Sequence, residues 1–531
     1  MIAENDPVAA RAQAAFQQGF VLHQEGRLAQ AQEIYQKVLQ MQPGHVDALH
    51  FAGLIAYQTG NFLQAVELIG RAVELNPQFA AAHSNRGLAL QELKRLDEAL
   101  DSYDHAIKLN PDNAEAYSNR GNVLRDLQRL EEAVDSCCRA IELKPDYAEA
   151  YSNRGIALKE LNRLDEALDS YDRALELKPD FAEAYTNRGN VLRELKRLDE
   201  ALASFERAIS LKPDFPEGHW NLSLCRLLMG DFARGLEGYE WRWRTQQFKE
   251  RRNLTQRLWL GEESLQGKTI LLQSEQGLGD ALLFCRYARL ASDLGARVIL
   301  EVPGPLLELL ADLAGVAQLV ARGSALPAAD FYCPLMSLPL AFKTDLNTIP
   351  FANGYVRSRP GKVAEWRKKL GDPGKLRVGL SWSGSVAYSS DAKRSIALSD
   401  IVRHLPGQYQ YFSLQKDIKD GDREVFDSHA NMVHFGAGFA DTAALCELMD
   451  VVISVDTSIA HLAGAMGKPV WVLLPFIPDW RWLLDREDSV WYSSARLFRQ
   501  DQAGGWAGVI DRIRAELLRQ ERAMLSAPGR C

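Results

Sequence analysis

Two stretches of the chain combine residue types that could handle an anionic ligand and a proton. The first is Glu275-Gln276-Gly277-Leu278-Gly279-Asp280, after an apolar run and before a helical one. Gly277 and Gly279 let a ligand approach the backbone, and Asp280 offers a carboxylate that could accept a proton. A second reading of these residues is a tight strand-to-helix turn, with Asp280 as a capping or first-turn acid. The other stretch runs from Ser454 to Pro469 and contains Asp456, Thr457, Ser458 and His461. A strand ends at Val455 and a helix begins near Thr457. The free N–H groups and positive dipole of such a start make an anion site suited to a diphosphate. Thr457 and Ser458 add hydroxyl donors, and His461 shares a helix face with Thr457. A capped helix with His461 satisfied in the core is the alternative.

Cations are also at hand. Lys393 and Arg394 follow the polar loop Ser383–Ala392; they are candidates for phosphate contact or a solvated basic pair. Arg481 stands between Trp480 and Trp482. Arginine could grip a phosphate through two N–H groups, and tryptophan could stack on a base or sugar, while buried packing fits the same residues.

These residues need elements to position them. After about Gly261, strand-like apolar runs alternate with helical ones, which predicts βα units and parallel sheets. Strands are expected at Thr269–Gln273, Arg297–Val302, Val378–Trp382, Tyr411–Leu414, Val451–Val455 and Val470–Leu474. Helices are expected at Asp280–Leu294, Thr442–Met449 and Ser458–Met466. Arg357–Gly374 is charged, holds Pro360, Gly361, Pro373 and Gly374, and reads as a linker between two Rossmann-like halves, 262–360 and 361–523. Two such halves leave a cleft at the carboxyl ends of their strands. Trp506–Leu518 has helical spacing and is expected to pack across this region rather than bind a membrane.

The first half of the chain is periodic. Prolines stand at 43, 77, 111, 145, 179 and 213, each 34 residues after the last. Glycines at 19, 53, 87, 121, 155 and 189, and alanines at 31, 65, 99, 133, 167 and 201, keep the same step. Each unit reads as two amphipathic helices closed by proline, with small residues such as Gly121 and Ala133 where the pair meets. One pair cannot cover its own apolar stripe, so stacked neighbours build the core as an α solenoid. The pattern resembles the tetratricopeptide (TPR) family over about 12–215, and a degenerate seventh unit extends the array to 249. Its aromatics Tyr239, Trp241 and Trp243 are expected to pack on the next domain.

One position off the packing stripe also repeats: Asn85, Asn119, Asn153, Asn187 and Asn221. An amide both donates and accepts, so such a ladder could pair with a peptide backbone of any sequence. It is similar to the asparagine ladder of eukaryotic O-linked N-acetylglucosamine transferases, in which TPR repeats are fused to a glycosyltransferase. Gln17 and Phe51 replace it in the first two units. Copying by recent duplication is the competing reading.

The C-terminal motifs, with Val-Gly-Leu-Ser-Trp-Ser-Gly at 378–384, resemble glycosyltransferase family 9, the heptosyltransferases, over about 268–500. Ser458 stands where that family has glycine, and Pro475–Trp482 departs from its glycine-containing phosphate loop. The resemblance implies a GT-B fold and an inverting, metal-independent transfer from a nucleotide sugar. Asp280 would be the general base, and Lys393, Arg394, Asp456, Thr457, Ser458 and His461 would hold the donor. The repeats favour a protein acceptor. A lipid or polysaccharide acceptor, or a non-catalytic adaptor, are the alternatives.

Composition sets outer limits. The chain has 531 residues, 47% hydrophobic and 25% charged, enough for about three globular domains. A net charge of −8 argues against nucleic acid as the main partner. Seven irregularly spaced cysteines fit a reducing compartment. No signal peptide or transmembrane run is legible, so a soluble, cytoplasmic protein is expected.

Overall fold

The computed structural model describes residues 7–248, 256–371, 374–384 and 391–526. Pro373, loop residues 385–390, residue 249 at the end of the seventh unit and Cys531 lie outside them. The chain divides into two compact units, Met1–Gly218 and His219–Cys531.

The first unit is a solenoid of helix pairs, from Pro7–Gln24 with Leu28–Met41 to Ala182–Glu194 with Leu198–Leu211. The repeating small residues explain the pairing. A Cβ added at Gly121 would stand 2.6 Å from Cys137 Sγ, and one at Gly155 would stand 2.8 Å from the Tyr171 ring. Side chains sixteen residues on fill the space each glycine leaves. Within a pair, a left-handed residue turns the chain: Gly26, Gly60, Lys94, Gln128, Asn162 and Lys196 all have positive φ. The first helices of successive repeats also touch each other, as Ala114–Asp126 touches Ala148–Glu160. Among the described residues no comparable approach joins the second helices. The first helices therefore line the inner side of the stack.

The second unit begins with the seventh helix pair and continues as α/β. Its first sheet has strands β1 (Arg257–Leu258), β2 (Thr269–Gln273), β3 (Arg297–Val302), β4 (Gln318–Ala321) and β5 (Phe331–Pro334), in the order β1-β5-β2-β3-β4. Its second sheet has β6 (Arg377–Ser381), β7 (Gln410–Ser413), β8 (Met432–His434), β9 (Val451–Val455), β10 (Val470–Leu474) and β11 (Ala495–Arg499), in the order β11-β10-β9-β6-β7-β8. All pairings within both sheets are parallel. Every residue of β6, β9 and β10 is buried, as expected of parallel strands covered on both faces. The last helix, Trp506–Ser526, places Val509, Ile510, Ile513 and Leu517 in the core of the second sheet.

Two expectations change. The helix expected over Asp280–Leu294 is broken into Leu278–Phe284 and Tyr287–Asp293. The cause is capture of carbonyls that a continuous helix would use. Tyr355 OH donates to Leu282 O at 2.7 Å, and Arg286 Nε donates to Leu283 O at 2.9 Å. The segment read as a linker carries an ordered helix, Pro360–Leu370. Pro360 sits in the first turn, where its missing N–H costs nothing, and Gly371 (φ 69) ends the helix. Trp366 Nε1 and Lys362 Nζ both donate to Asp441, which binds this helix to Phe439–Leu448.

Candidate functional site

Each of the two C-terminal motifs starts a helix just beyond a strand, and the two helices pack on each other. Leu278–Phe284 follows β2, and Ser458–Ala465 follows β9. They meet where Gly279 faces His461: a Cβ on Gly279 would lie 2.7 Å from His461 Cδ2. Glycine at that position is thus a packing requirement, since the imidazole is held on its other sides. His461 Nδ1 lies 3.0 Å from Tyr492 OH, and its ring stacks on Trp482 with centroids 5.3 Å apart. Burial, and then the charges of Arg481, Arg286 and Arg394, hold its pKa well below the ordinary histidine range. The imidazole is therefore neutral.

Asp280 is both a cap and an ion-pair partner. Its Oδ2 accepts from Gly277 N at 3.0 Å, the role of a first-turn acid. Its Oδ1 accepts from Arg481 NH2 at 2.5 Å. Arg481 also donates through NH1 to Asp479 Oδ1 at 2.7 Å. Burial opposes the Arg481 charge, but the Asp280 and Asp479 carboxylates outweigh it and keep the guanidinium protonated.

Asp456 lies beside this pair. Burial, and then the Asp479 charge, push its carboxyl pKa up, against the opposing pull of Trp482, Arg394 and Arg481. Its Oδ1 is 3.8 Å from His461 Nε2. Arg394 NH1 donates to the Asp456 carbonyl at 2.7 Å. Lys393 is exposed on the same short helix, Asp391–Arg394. Thr457 is the N-cap: its Oγ1 accepts from Ile459 N at 3.3 Å and lies 3.1 Å from Ser454 Oγ and 3.4 Å from Ser381 Oγ. That hydroxyl serves the helix start rather than standing free as a donor. Ser458 is half-buried at the first helical position. In the motif at 378–384, the N–H groups of Trp382 and Ser383 both donate to Gln415 Oε1.

The seventh unit supplies a support that its aromatic run did not disclose. Arg242, fully buried between Tyr239 and Trp243, donates to Glu275 Oε1 at 2.9 Å and to Ser337 Oγ at 2.7 Å. Glu275 lies two residues before Gly277, the start of the glycine turn. Burial pushes its pKa up to about 7, against the lowering effect of Arg242. Tyr239 packs on Trp480 with ring centroids 6.3 Å apart and accepts from Gln276 Nε2 at 3.2 Å.

Gly277, Gly279, Asp280, Arg394, Asp456, Thr457, Ser458 and His461 thus belong to one cluster. Sequence reasoning left Arg481 between two readings and passed over Asp479, Arg242 and Tyr492. The carboxylate two residues before Arg481 was the one available sign.

The asparagines form a different set. All five are half-buried on first helices. Asn85 Nδ2 lies 2.9 Å from His50 Nε2, and Asn153 Nδ2 donates to Ser118 Oγ at 3.0 Å. Each reaches the first helix of the preceding repeat, so these two amides tie neighbouring repeats together.

Tetratricopeptide repeat family models match residues 22–87, 80–113, 102–135 and 152–238, and a TPR repeat model matches 121–162. Residues 22–238 carry tetratricopeptide repeats. Protein FlbA of Caulobacter vibrioides is 26% identical over 293 residues, 49% of this chain and 48% of the relative. The chain spans about half the length of that curated relative. Among solved structures, MamA is 24% identical and matches 30% of this chain and 94% of its own, with a TM-score of 0.29. YrrB, described as a TPR protein with an unusual peptide-binding site, is 23% identical and matches 35% and 95%, with a TM-score of 0.30. TPR stacks commonly serve as protein-binding surfaces. Among the described residues, no helix is long and apolar enough to cross a membrane.

Proposed function

We propose that the α/β unit is a GT-B-type glycosyltransferase that uses a nucleotide sugar, and that the TPR repeats present a protein acceptor to it. One observation carries the reading: Gly279 packs on His461, which places the Asp280 carboxylate and the start of helix Ser458–Ala465 in one cluster. A base and an anion-binding helix end drawn from two different sheets are what displacement of a diphosphate needs. In the proposed step the acceptor hydroxyl oxygen attacks the anomeric carbon and its proton passes to Asp280. The bond from that carbon to the diphosphate oxygen breaks, and the electron pair leaves with the diphosphate. Arg394 and the helix dipole offset the charge that develops there. The inner placement of the first helices supports a peptide acceptor; Asn85 and Asn153 are spent on neighbouring repeats, so the ladder's support comes from Asn119 and Asn187, whose side chains make no hydrogen bond among the described residues.

The test is release of nucleoside diphosphate from ADP-, UDP-, GDP- and CDP-sugars by the full chain. We expect turnover with one of them and a loss of at least about 100-fold in Asp280→Asn, the usual scale for removing a general base. No release from any donor, or equal release by the variant, would overturn the reading.

A further inference from the structure

Arg481 is 7% exposed, carries a full charge, and is shared by carboxylates from both halves of the second unit. Asp280 follows β2, and Asp479 follows β10. The guanidinium packs against the faces of Phe284 and Trp480, 5.6 and 5.0 Å from their centroids. Its Nε has no hydrogen-bond partner among the described residues. Guanidinium has five N–H groups in a planar fork that matches carboxylate or phosphate equally well. Here one arm is spent on Asp280 and one on Asp479. The carboxylates are the accessible part, with side chains 20% and 32% exposed against 8% for Arg481. An incoming anion therefore meets the carboxylates first and can reach the guanidinium by displacing one.

Asp280 is the one acid in the turn Gly277–Asp280, and its second oxygen already caps Gly277 N. Both Asp280 oxygens therefore already accept a hydrogen bond, Oδ2 from the turn and Oδ1 from the guanidinium. We propose that Arg481 is an anion-operated latch on Asp280: the diphosphate of a bound donor takes over the guanidinium N–H groups now given to Asp280, and the freed carboxylate oxygen becomes the proton acceptor. This rests on the transferase reading and adds an order of events, donor first and base second. The exchange of one oxyanion for another on the same guanidinium makes or breaks no covalent bond. It also gives Arg481 a role that lysine cannot fill, because a point charge lacks the fork needed to hold Asp479 while changing its other partner.

The latch should show itself in affinity. Breaking the Arg481–Asp280 pair is a cost that every diphosphate must meet, so removing the carboxylate should tighten binding, by about tenfold if the unlatched form is a tenth of the population. Binding of ADP, UDP, GDP, CDP and inorganic pyrophosphate to the full chain would be measured by calorimetry for wild type, Asp280→Asn, Arg481→Gln and the double variant. Arg481→Lys serves if Arg481→Gln does not fold. The expected result is tighter binding in Asp280→Asn, at least tenfold weaker binding in Arg481→Gln or Arg481→Lys, and no gain from Asp280→Asn in the Arg481-substituted background. The double variant separates a latch from simple charge repulsion, which would yield the same gain in either background. Equal gains in both backgrounds, or no gain with wild type binding normally, would overturn the latch and leave the transferase reading standing. No binding of any diphosphate to wild type or Asp280→Asn would overturn both.

Discussion

His50 shows how one buried side chain sets a pH limit. It is 3% exposed, and its ring packs on Phe79 with centroids 4.7 Å apart. Burial lowers its pKa to about 4, against the raising effect of Asp47. The unfolded chain takes up the same proton near the ordinary value of about 6.5. Between those values the unfolded state binds more protons, so stability falls as pH falls through the window. The loss should be on the order of 2 kcal/mol by pH 4.5. Protonation also removes the acceptor that Asn85 Nδ2 faces. Far-UV circular dichroism in urea at pH 7 and 4.5 should show a smaller acid-induced loss for His50→Gln than for wild type. Equal losses would place the acid sensitivity elsewhere. His461, also buried and neutral, obeys the same sign.

The helix pairs depend on a left-handed residue at each turn, and the chain uses different residues there. Gly60 has φ 79, whereas Gln128 and Lys196 have φ 60 and 59. A side chain in this region costs about 1–2 kcal/mol, partly offset by the backbone entropy that glycine loses on folding. Gly60→Ala should lower solenoid stability by about 1 kcal/mol. Gln128→Gly should raise it by about 0.5 kcal/mol, the difference of those two terms. Urea midpoints followed by circular dichroism would check both; shifts of the same sign would refute the account. The broken helix after Asp280 follows another local rule. Tyr355 and Arg286 compete for its carbonyls, and no proline or glycine announces the break.

At the scale of the whole second unit, Arg286 joins segments far apart in sequence. Its NH1 donates to Pro350 O at 3.0 Å and to Trp491 O at 2.9 Å, and its NH2 donates to Tyr355 OH at 3.0 Å. Carbonyls, not a carboxylate, receive most of this buried charge. Arg286→Met leaves those acceptors unpaired, at about 1–3 kcal/mol for each that water cannot reach. We expect the second unit to lose about 2–4 kcal/mol. Tryptophan fluorescence isolates that unit, because all 11 tryptophans lie at position 220 or beyond. An unchanged fluorescence midpoint would show that the carbonyls find other donors.

Periodicity and apolar patterns by themselves determined the solenoid, the α/β class of the second unit and the strands β2, β3, β9 and β10, because helix stripes and buried parallel strands imprint their pattern on the chain. Short elements escaped. β1 has two residues and β5 ends in proline, and neither is long enough to show a period. The helix Pro360–Leu370 was hidden by its charges and its proline. The two motif helices were legible one at a time, but nothing in either shows that Gly279 faces His461. Only the tertiary structure decided that Asp280 meets Arg481, 201 residues away, and that Arg242 lies under Glu275. Pairings of that kind depend on how two sheets and their following helices close in space, and a buried charge finds its partner by geometry rather than by spacing along the chain.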